Sequence, residues 1–155
     1  MIFIGIDPGL TGAVGFIDSK GGFVDVYDLP VMTRGKTKRK LNAAGMADYI
    51  REFVAYKPVA MIEMVWAMPK QGASSGCSLG HSVGVCEGVM YALGIRTHLV
   101  TPQVWKKHFK LNSDKELARA KAIEFFPTAP LSLKKHADRA EALLMARYMY
   151  EIEGR

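Results

Sequence analysis

Four acidic residues, Asp7, Glu63, Asp138 and Glu141, have the types and the setting to act together on a phosphate ester. Asp7 ends the apolar run IFIGID and opens the turn Asp7-Pro8-Gly9, and Glu63 ends a second apolar run, VAMIE. A carboxylate at a strand end is held by the sheet and points at whatever lies beyond it. Asp138 and Glu141 stand at i and i+3 in DRAEALLMARYMY, a spacing that puts two side chains on one helix face. Four such groups repel one another unless a cation joins them. Mg²⁺ takes an all-oxygen cage of this kind and lets substrate phosphate complete it. The chemistry implied is metal-assisted phosphodiester hydrolysis.

Each acid also has a plainer reading. Asp-Pro-Gly can be only a turn. Glu63 can be half of a buried ion pair, because a lone carboxylate is costly in an apolar strand. Asp138 and Glu141 can be first-turn acids favoured by the helix dipole. Their joint placement, on the first strand, the strand after the first helix and the last helix, favours the metal reading.

The elements that must position them follow from patterning. Residues 2–7, 10–18 and 23–29 read as three strands joined by short Gly-rich connections, an antiparallel meander. The basic stretch 33–40 reads as a loop. Residues 42–56 read as an amphipathic helix with Asn42 as N-cap and Pro58 beyond its end, followed by a strand at 59–65. Strand, helix, strand in one sheet implies a right-handed parallel crossover. Residues 67–76 have loop chemistry, and a helix is predicted from about Ser78 to Leu93. That helix carries Gly80, Gly84 and Gly88 on one stripe, at a cost of roughly 1 kcal/mol each. Close packing should compensate, within the fold in preference to across a dimer. A fifth strand is predicted at 95–100. Helices follow at 101–109, capped by Thr101, at 113–126, capped by Ser113 with Glu116 closing a capping box, and from about 137 to 151. The whole, residues 1–155, is expected to be one α/β domain with a mixed five-stranded sheet and helices on both faces.

The net charge of +6 favours a polyanionic partner only weakly, but its distribution says more. Arg34, Lys36, Lys38, Arg39 and Lys40 form one basic group. Lys106, Lys107, Lys110 and Lys115 form a second, and Lys134, Lys135 and Arg139 a third beside Asp138. One such run would be solvated surface; three around a carboxylate set suit nucleic acid. Cys77 and Cys86 have no metal-finger spacing and read as free thiols of a reducing compartment. No apolar run is long enough to span a bilayer, and the first strand lacks the features of a signal peptide, so a cytoplasmic protein is expected.

The segments IGIDPGLTGAVGFID (4–18), IEMVW (62–66), TPQVWKK (101–107) and HADRAEALLMA (136–146) resemble the RuvC-type Holliday-junction resolvases of the ribonuclease H-like superfamily. MPKQGASS (68–75) looks like the phage-borne branch of that family. The resemblance covers nearly the whole chain. It implies a ribonuclease H-like fold with Asp7, Glu63, Asp138 and Glu141 as catalytic metal ligands. The family usually has Asp where this chain has Glu141. Two Mg²⁺ ions per site, replaceable by Mn²⁺ and roughly 4 Å apart, are implied, with Asp7 bridging and a 5′-phosphate product. The implied DNA contacts are Trp66, stacking on a base opened at the junction for ~1–3 kcal/mol, and basic residues near Lys107 and Lys115, with Lys106 equally possible by register. The loop residues Lys36, Lys38, Arg39 and Lys40 and the residue just ahead of the last acids, His136, are further candidates. His136 reads as a DNA contact or surface residue more readily than as a proton shuttle. The implied protein is a homodimer in a bacterial cell, compatible with phage origin, that nicks four-way DNA symmetrically. Rival readings are a broader nuclease for flaps and forks, a non-catalytic junction binder, and an RNA hydrolase of the same fold.

Overall fold

The computed structural model describes residues 1–65 and 72–153. Strands β1 (Ile2–Asp7), β2 (Ala13–Asp18) and β3 (Phe23–Asp28) form the antiparallel meander. A separate hairpin, β4 (Val31–Arg34) with β5 (Lys38–Leu41), precedes helix α1 (Ala43–Arg51). Then come β6 (Val59–Glu63), α2 (Ala73–Ala92), β7 (Arg96–Val100), α3 (Pro102–His108), α4 (Lys115–Phe125) and α5 (Ala137–Glu153). The main sheet has the order β3-β2-β1-β6-β7, with β6 and β7 parallel to β1. This is the mixed five-stranded sheet expected, three antiparallel strands and then two parallel ones.

Strand alternation divides the core in two. Phe3, Val59 and Met61 pack with Leu143, Met145 and Trp105 on the α5 face. Ile4, Ile6, Ala60 and Ile62 pack with Met46, Ile50, Cys86 and Met90, on the face covered by α1 and α2. Asp7 and Glu63 continue the first set, so both belong to the α5 face. Two glycines let α5 lie hard against the sheet. A Cβ at Gly5 would stand 2.0 Å from the Ala142 carbonyl oxygen and 2.4 Å from the Ala146 nitrogen. At Gly15 it would stand 2.8 Å from the Leu143 nitrogen. Real side chains do not approach so closely, so only glycine permits this seat.

Several predicted elements differ from those found. The basic stretch is a hairpin, not a loop: Val31 pairs with Leu41 and Thr33 with Arg39 around a turn at Gly35, whose φ of 67° suits glycine. Helix α2 starts at Ala73, earlier than predicted. Its glycine stripe does not pack inside the fold, since among the described residues a Cβ at Gly80, Gly84 or Gly88 would meet nothing within 4 Å. The first helix ends at Arg51, and Val54–Tyr56 is a short 3-10 turn. Asn42 caps α1 as predicted, accepting from the Gly45 N–H at 3.1 Å. Helix α4 is capped by Asp114, not Ser113, through a 2.9 Å bond from the Glu116 N–H. Among the described residues no helix is long and apolar enough to cross a membrane. Both cysteines are free, Cys77 exposed and Cys86 buried.

Candidate metal centre

The carboxylate cluster is built from the end of β1 and the first turns of α5. Ligand oxygens of Asp7, Asp138 and Glu141 lie within 4.8 Å of one another. The close seat of α5 on Gly5 and Gly15 is what brings Asp138 and Glu141 to Asp7. Glu63, one strand over, is 8% exposed and Glu141 4%, so charge here is poorly solvated. The Asp7 carboxyl is pushed well above its ordinary value, first by burial, then by the fields of Glu63, Glu141 and Asp138. Glu63 is also raised, chiefly by burial, against the hydrogen bond that Trp105 Nε1 donates to its Oε1 at 2.9 Å. Trp105 is itself fully buried.

Two lysines face the acids. Lys106 Nζ is 2.7 Å from Glu141 Oε1. That oxygen is buried and has no aligned hydrogen-bond donor among the described residues. The contact is therefore an ion pair lying off the hydrogen-bond axis. Lys115 bonds Asp138 and stands 3.7 Å from Glu141 Oε2. Burial opposes charge on Lys115, but the Asp138 bond and the Glu141 field outweigh it, and its pKa sits above the ordinary lysine value. Oxygen-only donors, crowded and partly unpaired, fit a hard divalent cation.

The other candidates divide. Lys106, not Lys107, turns toward the acids; Lys107 is exposed and lines a groove beside Lys110 and Asn112. Lys36 sits in the hairpin turn, and Lys38, Arg39 and Lys40 on β5. His136 precedes α5, and its Nδ1 accepts from the Leu133 N–H at 3.2 Å. Its pKa is lowered, by burial first and then by Arg139 and Lys135. Arg139, counted among the basic groups, grips Asp28 through Nε at 2.6 Å and Nη2 at 2.8 Å. Trp66 lies outside the described residues. The residue that sequence reasoning missed is Trp105. Its signal was available, since a buried indole and a buried carboxylate each require a partner.

The sequence matches no protein-family model and no curated protein. Solved structures do resemble it. The "T. thermophilus RuvC in complex with Holliday junction substrate" aligns with a TM-score of 0.64 at 20% identity, over 99% of this chain and 97% of that one. The "Thermus thermophilus RuvC structure" aligns with a TM-score of 0.51 at 20% identity, over 96% and 95%. Sheet order, flanking helices and these two likenesses together identify the fold of this chain as ribonuclease H-like, in the arrangement of RuvC.

Proposed function

We propose that this chain is a Mg²⁺-dependent endodeoxyribonuclease that resolves four-way junctions by paired nicks, acting as a homodimer. The observation that carries the reading is the convergence of Asp7, Asp138 and Glu141, backed by Glu63 and faced by Lys106 and Lys115. The likeness to a RuvC bound to a Holliday junction supports four-way DNA as the substrate class. Asp7, Glu63, Asp138 and Glu141 would hold the metal, whose chemistry is to activate water and stabilise the leaving oxygen. Trp105 fixes the rotamer of Glu63 through its indole N–H. Lys106 and Lys115 offset the negative charge of the acids and would be at hand for a phosphate bound there. Glu141 reaches the same cluster as Asp7 and Asp138, which supports its use as a ligand where the resembled family has Asp.

A junction binder without activity gains nothing from burying mutually repelling carboxylates, which argues against that rival. Two symmetric nicks call for two sites about a two-fold axis. The stripe of Gly80, Gly84 and Gly88, uncovered among the described residues, is available to a second copy. By resemblance, Trp66 stacks on an opened base, and MPKQGASS supports kinship with the phage-borne branch in a bacterial cytoplasm.

The test is cleavage of synthetic substrates with Mg²⁺ and with EDTA. A four-way junction should be cut in Mg²⁺ into nicked duplexes bearing 5′-phosphates. Equal cutting of flaps and forks would replace junction resolution with the broader nuclease, and cutting of RNA–DNA hybrid alone would replace both.

A further inference from the structure

The Asp7 turn has a second side. On the face covered by α1 and α2, a groove of about 380 Å³ opens between the β4–β5 hairpin and the first turns of α2. One wall carries Arg34, Lys38 and Lys40; the other carries Ser74, Ser78 and His81. A neighbouring groove of about 420 Å³ shares Ser74, Ser78 and Leu10 with it and reaches Gly9, two residues after Asp7. Among the described residues no Asp or Glu lines either one. The two make a continuous track of cations and hydroxyl donors that leads to the turn bearing Asp7. The hairpin pairs only with itself and is almost wholly exposed from Val31 to Arg39, so among the described residues its charge is not engaged in ion pairs that hold the fold.

We infer that this track binds the backbone of a DNA strand running away from the cleavage site, on the opposite side of the Asp7 turn from the carboxylates, and that it does so without metal. The inference rests on the nuclease reading above and adds the path of the strand. Cations with neutral hydroxyl donors are the usual partners of phosphodiester oxygens, and a wall without carboxylates needs no bridging ion. The carboxylate side differs: with no metal, four acids there face only Lys106 and Lys115 among the described residues, and phosphate is disfavoured. Affinity for DNA in EDTA should therefore come from the track.

Cys77 lines the same groove and is exposed, which makes it a native reporter. Cys86 is buried with its thiol pushed up to about 12, first by burial and then by Asp7 and Glu87, and serves as an internal control. The experiment is N-ethylmaleimide labelling of the full chain in EDTA, with and without a saturating synthetic junction, read by mass spectrometry. Binding is followed in parallel by fluorescence anisotropy. Cys77 labelling should slow several-fold when DNA is bound. The triple change Lys38→Gln, Arg39→Gln and Lys40→Gln should weaken binding, and should flatten its log–log salt dependence by about 0.9 for each phosphate that is no longer neutralised. DNA bound at saturation with Cys77 labelled at its free rate would overturn the track and leave the nuclease reading standing. An unchanged salt slope in a folded triple variant would do the same. Failure to bind any DNA would overturn both.

Discussion

The indole N–H of Trp105, on α3, is hydrogen-bonded at 2.9 Å to the carboxylate of Glu63, at the end of β6. This bond lowers the Glu63 pKa against the burial that raises it. Trp105→Phe keeps an aromatic ring and deletes the donor. It should cost ~1–3 kcal/mol of stability, the penalty of a buried group left unpaired. It should also move the acid limb of the cleavage profile to higher pH, since Glu63 would ionise later. A purely structural tryptophan would lower the melting temperature and leave that limb in place.

Asp7→Asn and Glu63→Gln should abolish junction cleavage and preserve or strengthen junction binding, because repulsion of phosphate falls. Glu141→Asp should retain part of the activity. Parallel gel-shift and cleavage assays check this. Near wild-type cutting by Asp7→Asn would remove Asp7 from the metal site.

Asp7 and Glu63 both hold their protons more tightly in the fold than at their ordinary values of 3.8 and 4.5. Below those values both states are protonated and the contribution to stability is fully present. It is lost as pH rises through the raised native values, because the native state then binds more protons than the unfolded chain. In EDTA the melting temperature should therefore fall as pH rises above these ordinary values, and Asp7→Asn should flatten the slope. Added Mg²⁺ should recover stability in the wild type by mass action and much less in the variant. A pH-independent wild-type melt would contradict the buried, mutually repelling arrangement.

Lys106 and Lys107 are adjacent in sequence and opposed in role. Lys106→Gln removes the cation 2.7 Å from Glu141 and should lower cleavage more than affinity. Lys107→Gln should leave turnover of bound junction nearly unchanged, with at most a uniform loss of affinity across DNA shapes. Single-turnover kinetics at saturating enzyme separate these outcomes.

Gly5→Ala tests the seat of α5. Its methyl group would be driven into the α5 backbone at Ala142 and Ala146. Overpacking costs typically ~1–3 kcal/mol, and a clash with rigid backbone belongs at the upper end or beyond. The melting temperature should drop sharply, and any folded fraction should bind Mg²⁺ more weakly because Asp138 and Glu141 have moved. Wild-type metal affinity in the variant would show that the close seat does not set the cluster.

Much of this was legible in the sequence because alternation and capping are local. The apolar runs ending in Asp7 and Glu63 marked the strands, while the packed sheet showed that both acids share the α5 face with Phe3 and Met61. What escaped depended on longer-range facts. The hairpin was masked by its charge, although Val31, Thr33 and Gly35 carry strand and turn signals. Ser113 and Asp114 are neighbouring residues of equal capping aptitude, and only backbone geometry chooses between them. Lys106 and Lys107 differ by one step of helical phase, which no local pattern resolves. Arg139 read as part of a nucleic-acid face until the packing of α5 against β3 supplied Asp28.

The division of the carboxylates between β1, β6 and α5 also governs when they can work during synthesis. A nascent chain that has emitted β1 and β6 holds Asp7 and Glu63, but the helix bearing Asp138 and Glu141 is still to come. The same helix supplies Leu143, Met145 and Met149 to one half of the core. Completion of the hydrophobic interior and gathering of the acids are thus one event. A ribosome-bound or truncated fragment has neither, so the acid cluster is not assembled before the interior that holds it is finished.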